Sequence, residues 1–262
     1  MATSKPTIVI VIVHGSYHTP APYGSLSKAL ETHGHSTHCP QLPGALLQNL
    51  VSDASNPDFD AAAPPPSGYP AQSDDADTIK SLLKTLVEEQ GKKVLLVAHS
   101  SGGWSASEAA VPDLQRDVRS KEGKEGGVIG VFYMTALLVA RGESTSATFG
   151  QIAIVPAWVD WHKSGLSTIL EPERYFFHDL DPSEAEKWSA TLTACTSLDS
   201  KLTNDPYAAL PLAYLICEGD RVVPAAYQES LVKATEEKSG KKIEVYRCRG
   251  GHDAFLSSTK WV

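Results

Sequence analysis

The amino-acid sequence predicts an α/β fold built on a six-stranded, mostly parallel sheet with helices on both faces. Three observations lead there. Continuous apolar runs rich in β-branched residues recur at 8–13, 94–97, 128–134 and 213–217, as expected of strands covered on both sides. Segments with apolar residues at three- and four-residue spacing alternate with them, the mark of helices that bury one face. That alternation calls for parallel strands joined by crossover helices.

In order, residues 8–13 form the first strand. A helix over 22–31 presents Tyr23, Leu26 and Leu30 on one face and stops at Gly34. A short strand spans 36–39. Residues 40–71 are rich in Pro, Ala, Asp and Ser and read as a long loop with one turn of helix near 45–50. Loops of this length are usually functional or mobile, and this one leaves a strand's carboxyl edge, where it can wall a site. Ser73 caps the next helix, with Asp74, Asp75 and Asp77 beside the positive end of its dipole. Ile79, Leu82, Leu83, Leu86 and Val87 form its buried face up to Gly91. The strand at 94–97 runs into a helix reaching about Leu114. Residues 116–127 alternate charges and glycines and read as a solvated loop, and 128–134 is another strand. Residues 142–205 do not read as sheet; they hold a helix over 183–192, with Pro182 just inside its start. Strands at 213–217 and 243–246 complete the six, separated by a helix from Pro224 to about Lys238, and a short helix follows His252.

Composition narrows the function. Hydrophobic content of 42% and charged content of 21% are ordinary for a water-soluble protein. A net charge of −8 argues against a nucleic-acid surface or an anchor to anionic membrane. The N-terminal apolar run is too short for a signal peptide and lacks a charged leader and cleavage site, and no segment reaches membrane-spanning length. Cys39, Cys195, Cys217 and Cys248 have no metal-like spacing. Free thiols in a reducing cytoplasm are the expectation.

The residues with chemistry fall just past strand ends. Val94-Leu95-Leu96-Val97-Ala98-His99-Ser100-Ser101-Gly102-Gly103 reads as strand, sharp turn and helix, a nucleophile elbow with Ser100 at its apex. The commoner pattern has Gly where Ala98 stands; a methyl group is the smallest addition possible there. A serine needs a base, and the base needs a group to orient it and balance its charge. Glu218-Gly219-Asp220 follows the strand at 213–217, and Gly250-Gly251-His252 follows the last strand. Asp220 is preferred to Glu218 as the acid because it lies beyond the strand proper. After the first strand, His14-Gly15-Ser16 can aim the Ser16 N–H, with the Ser101 N–H, at a developing oxyanion. His14 and His99 flank the site as orienting residues.

These four elements, in this order and register, resemble the α/β-hydrolase superfamily over nearly the whole chain, and within it the small capped members that include plant methylesterases and hydroxynitrile lyases. The resemblance implies an α/β-hydrolase core over 1–141 and 206–262, with a small helical cap inserted at 142–205. That segment holds Trp158, Trp161, Tyr175, Phe176, Phe177 and Trp188. Tyr17, Trp158 and Trp161 are the candidate substrate contacts, implying an apolar acyl or alcohol pocket.

The expected function is a cofactor-free serine hydrolase of a small apolar ester or lactone, with Ser100, His252 and Asp220 as triad. Two alternatives use the same framework: a lyase, C–C hydrolase or cyclase, or a non-enzymatic receptor for a small ligand. The hydroxynitrile lyases carry a lysine directly after the histidine to hold cyanide. Here that residue is Asp253, which would repel a leaving anion. No metal is expected, since His33, His35, His38 and Cys39 match no zinc spacing. Gly102-Gly103 lacks the further glycine of a dinucleotide-binding turn.

Overall fold

A computed structural model describes residues 8–61, 63–151 and 157–257. The central sheet comprises β1 (Val9–Val13), β2 (Ser36–His38), β3 (Lys93–His99), β4 (Gly127–Met134), and two later strands numbered after a separate pair, β5 (Val159–Trp161) and β6 (Ser167–Ile169). Those later strands are β7 (Leu212–Cys217) and β8 (Glu244–Cys248). The sheet order is β2-β1-β3-β4-β7-β8, and every neighbouring pair is parallel. The helices are α1 (Gly24–Thr32), α2 (Gln72–Lys84), α3 (Gly102–Ala109), α4 (Arg116–Lys121), α5 (Thr145–Phe149), α6 (Pro172–Tyr175), α7 (Pro182–Ser189), α8 (Ala225–Ser239) and α9 (Ala254–Ser257).

The unbroken apolar run of β1 is explained by burial on two faces. Val9, Val11 and Val13 pack with Ile79 and Leu83 of α2 and Trp104 and Ala106 of α3. Ile10 and Ile12 point the other way, onto Tyr23, Leu26 of α1 and Phe255 of α9. Side chains alternate across a strand, so covering both faces removes the polar half of the pattern. In an open parallel sheet the loops at the strands' carboxyl ends share one edge. There β1, β3, β7 and β8 deliver Ser16, Ser100, Asp220 and His252.

Four local expectations are corrected. Helix α2 begins at Gln72, and its first turn is closed by Asp74, whose carboxylate accepts the Ala71 N–H at 2.7 Å, rather than by a Ser73 cap. Helix α3 ends at Ala109, well short of Leu114, because Pro112 has no N–H to continue it and opens a separate 3₁₀ turn. Residues 116–121 are helix, not solvated loop. Arg119 is buried and donates to the carbonyls of Glu125 and Val87, so its guanidinium serves as an internal brace. Residues 142–205 do contain sheet: β5 and β6 pair antiparallel, with Gly165 at φ +88° in the turn between them. Among the described residues no helix is long and apolar enough to cross a membrane.

Candidate active site

Strand β3 ends at His99, and Ser100 takes φ +53°. For a residue with a Cβ this left-handed conformation costs about 1 kcal/mol or more. Surrounding backbone compensates: the Ser100 carbonyl accepts the N–H groups of Leu137 at 3.0 Å and Gly103 at 3.1 Å. The turn leaves no room for side chains at its helix end. A Cβ on Gly102 would stand 2.5 Å from the Val13 carbonyl oxygen, and one on Gly103 2.6 Å from that of Leu137. Ala98 is fully buried and accommodated in β3.

His252 Nε2 lies 3.0 Å from Ser100 Oγ, and its Nδ1 lies 2.8 Å from Asp220 Oδ2. A carboxylate only accepts, so Nδ1 carries the proton and Nε2 is left as an acceptor for the Ser100 hydroxyl. Asp220 is itself held by several donors. Its Oδ1 accepts the N–H groups of Val222 at 2.7 Å and Val223 at 2.8 Å, and its Oδ2 accepts the Thr135 hydroxyl and the Gln228 amide. Burial of His252 disfavours its charged form, but the adjacent Asp220 carboxylate, with Asp253 adding, outweighs it and raises the imidazole pKa. Glu218 is exposed and faces Arg247, 3.7 Å away, so it takes no part in this contact.

The two expected oxyanion donors differ in availability. Among the described residues, no acceptor is found for the Ser101 N–H. The Ser16 N–H instead donates to Ser101 Oγ at 2.7 Å, and the two serine hydroxyls are 2.6 Å apart. In this conformation the Ser16 N–H is therefore occupied by the Ser101 hydroxyl.

A cavity of about 410 Å³ opens on Ser100. Tyr17, Trp158 and Trp161 line it with Leu137, Phe149 and Phe176. Trp158 is buried edge-on against Phe176, whereas Trp161 is 72% exposed at the rim. The Tyr17 hydroxyl is paired with Ser167 Oγ at 3.0 Å, and burial pushes its pKa up. No lysine or arginine lines the described wall, and Asp199 is its one carboxylate.

The sequence profile of the alpha/beta hydrolase family matches residues 10–262. The chain belongs to the alpha/beta hydrolase family. It is 28% identical over 239 residues to alpha/beta hydrolase nvfD of Aspergillus novofumigatus, spanning 84% of this chain and 91% of that one. It is also 24% identical to the probable hydrolase R7 of a Phoma species, over 93% and 90% of the two chains. Polyneuridine aldehyde esterase superposes with a TM-score of 0.69 at 17% identity, covering 97% of this chain and 96% of that one. The methylesterase MES16 from Arabidopsis gives 0.66 at 20% identity, with 97% and 95% covered. These solved structures share the fold.

Around this alpha/beta hydrolase site lies a layer of buried polar residues that sequence reasoning foresaw only in part. His14 donates from Nδ1 to the Gly15 carbonyl and accepts the Leu42 N–H at Nε2, which anchors the long loop after β2. Burial lowers its pKa to about 4, so it is neutral. His99, likewise pushed down by burial, accepts the Tyr23 hydroxyl at Nδ1, 2.7 Å, and donates from Nε2 to the His252 carbonyl at 3.1 Å. His18 donates to the Ser16 carbonyl and meets Asp253 Oδ1 at 2.9 Å. The Asp253 carboxylate thus lies against His18 and does not line the Ser100 cavity. His18, His99 and Asp253 lie close enough to share an ion, but the two histidines already have both ring nitrogens in protein hydrogen bonds.

Thr135, Gln228, His18 and Asp179 are the site residues that sequence reasoning missed; Asp253 was noted, but not its pairing with His18. Asp179 accepts the Gly251 N–H at 2.6 Å and pins the histidine loop. Gln228 carried a legible signal: it shares a helix face with Leu231, Val232 and Thr235, and a lone amide on a buried face needs partners. Thr135, the first polar residue after β4, carried a weaker one.

Proposed function

We propose that the protein is a cofactor-free serine hydrolase of a small, neutral, apolar carboxylic ester or lactone. The observation supporting this reading above all is the contact of His252 Nε2 with Ser100 Oγ at 3.0 Å, while Nδ1 is held by Asp220. In this reading Ser100 Oγ attacks the carbonyl carbon as His252 takes its proton. The oxyanion is met by the Ser101 N–H and, once the Ser101 hydroxyl has turned, by that of Ser16. Each such donor is worth roughly 3–4 kcal/mol at the transition state. His252 then protonates the leaving alcohol, and a water activated by the same imidazole releases the acid. The cavity volume of about 410 Å³ suits a medium-sized ligand. Its aromatic wall and its lack of cationic side chains favour an uncharged substrate.

Residues 142–205 serve as a lid on the core formed by 1–141 and 206–262. In support, Phe176 from this segment stands edge-on to the His252 ring, with centroids 5.2 Å apart. The four free cysteines fit a reducing cytoplasm.

The test is turnover of p-nitrophenyl butyrate by the wild type and Ser100→Ala, with mass spectrometry after a fluorophosphonate. The expected results are a loss of at least about 10³-fold and a single adduct on Ser100. Wild-type turnover by Ser100→Ala would overturn the reading. Hydrolysis in ¹⁸O-water must place label in the acid product, which a lyase or cyclase would not do.

A further inference from the structure

The far side of the sheet from α2 and α3 carries a second cavity of about 490 Å³, separate from the one above Ser100. Its wall is mostly apolar, with Ile10, Leu95, Phe132, Leu215 and Phe255, and it also meets Arg247 and one edge of His252. Two thiols also reach it. Cys217 and Cys248 are register partners at the ends of the parallel neighbours β7 and β8, with their sulfurs 3.6 Å apart. Adjacent strands lie about 4.8 Å apart, inside the roughly 4.4–6.8 Å Cα separation that a disulfide spans. The catalytic reading uses neither sulfur.

We propose that Cys217 and Cys248 form a reversible redox site, a dithiol that hydrogen peroxide reaching the second cavity converts to a disulfide. The two sulfurs are unequal. Cys217 is the more deeply buried and retains its proton. The two sulfurs share a hydrogen bond at 3.6 Å, and this contact, against the opposing effect of burial, holds the Cys248 thiol below its ordinary pKa. Cys248, the less buried of the two, is the sulfur that attacks, as its thiolate. Its sulfur bonds to one peroxide oxygen, the O–O bond breaks, and the departing hydroxide takes up a proton and leaves as water. Cys248 is now a sulfenic acid. Cys217 sulfur attacks Cys248 sulfur, the S–O bond breaks, and the second water departs with the Cys217 proton. Two thiols have lost two electrons, and the peroxide has been reduced to two waters. A reducing thiol reverses the step by exchange. The bond would tie the roots of the two loops that present Asp220, three residues after Cys217, and His252, four after Cys248.

The experiment treats the reduced, intact protein with hydrogen peroxide, blocks the remaining thiols by alkylation and maps peptides without reduction. The expected product is one cross-linked pair carrying Cys217 and Cys248, two mass units below the sum of the reduced peptides and released by dithiothreitol. In Cys217→Ser, the same treatment should carry Cys248 on to the sulfinic acid, since no resolving thiol remains. Recovery of both residues alkylated after peroxide, or of wild-type Cys248 as sulfinic acid beside an alkylated Cys217, would overturn the proposal. Should the serine variant not fold, the wild-type map alone decides.

Discussion

Replacing Asp220 by Asn tests whether its charge, and not its shape, drives the reaction. An asparagine can keep Oδ1 where it accepts the Val222 and Val223 N–H groups, at 2.7 and 2.8 Å in the wild type. Its amide nitrogen then takes the place of Oδ2 and points two hydrogens at His252 Nδ1 and at the Thr135 hydroxyl, where a carboxylate oxygen now accepts both. His252 must accept at Nδ1, so its proton moves to Nε2, the nitrogen facing Ser100 Oγ. In that tautomer it cannot take the serine proton, and the imidazolium formed later loses its counter-charge. The expected loss in kcat is about 10⁴-fold, equivalent to about 5.5 kcal/mol of barrier. The pH profile adds a second, independent signature. The base must be neutral, and the wild-type His252 pKa is raised above its ordinary 6.5. The acid limb of kcat/KM therefore falls with a midpoint above that value. In Asp220→Asn, burial persists while the raising influence of the carboxylate is gone, so the midpoint moves to lower pH. Steady-state hydrolysis of p-nitrophenyl butyrate across the neutral range measures both quantities, with circular dichroism confirming the fold. Activity within tenfold of wild type, or an unmoved limb, would refute the reasoning.

Three further outcomes are expected. Asp75, desolvated although it accepts the Gly44 N–H at 2.8 Å, has its pKa raised from 3.8 to about 7. The folded state then holds a proton that the unfolded state has released, so stability declines as pH rises from about 4 to 7. Asp75→Asn should leave the unfolding free energy nearly unchanged at acid pH and raise it above pH 7, by at most about 4 kcal/mol; an equal effect at both ends, seen by calorimetry, would contradict this. Tyr23→Phe leaves the Gly15 N–H and His99 Nδ1 buried without their partner and should cost about 2–4 kcal/mol in urea unfolding. Ser101→Ala removes the hydroxyl that occupies the Ser16 N–H; releasing one hydrogen bond of about 1 kcal/mol should raise kcat/KM about fivefold, and a decrease would show that the hydroxyl assists the reaction.

The frame was legible in the sequence because both of its signals are local. Strand β1 announces itself through two-sided burial, and the elbow through the small residues that its backbone contacts require. What escaped depends on partners distant in sequence. Asp253 reads as a carboxylate beside the site, yet His18, 235 positions away, draws it inward. Ser101 reads as a backbone donor, but its side chain closes onto Ser16 across 85 residues. The hairpin of β5 and β6 was missed because three-residue strands are too short to show a period of two. Arg119 was assigned to solvent by its type, since nothing local reveals that the carbonyls of Val87 and Glu125 converge on it.

The buried histidines explain how loops with few side chains of their own hold a position. The segments after β1 and β8 contain Gly15, Gly250 and Gly251, which contribute no packing. Apolar residues in place of His14, His18 and His99 would avoid the desolvation that drives the His14 pKa to about 4. They would also leave the carbonyls of Ser16 and His252 and the Leu42 N–H without partners, and the Gly15 carbonyl with only the His18 N–H. Each buried polar group so abandoned costs about 1–3 kcal/mol. His14 and His99 each donate on one side and accept on the other, so each has a single satisfactory orientation, which fixes the loop it binds. His99 receives its proton-donor partner from Tyr23 and passes the constraint to the backbone of His252 itself. Hydrogen bonds to buried groups thus help keep His252 Nε2 within 3.0 Å of Ser100 Oγ.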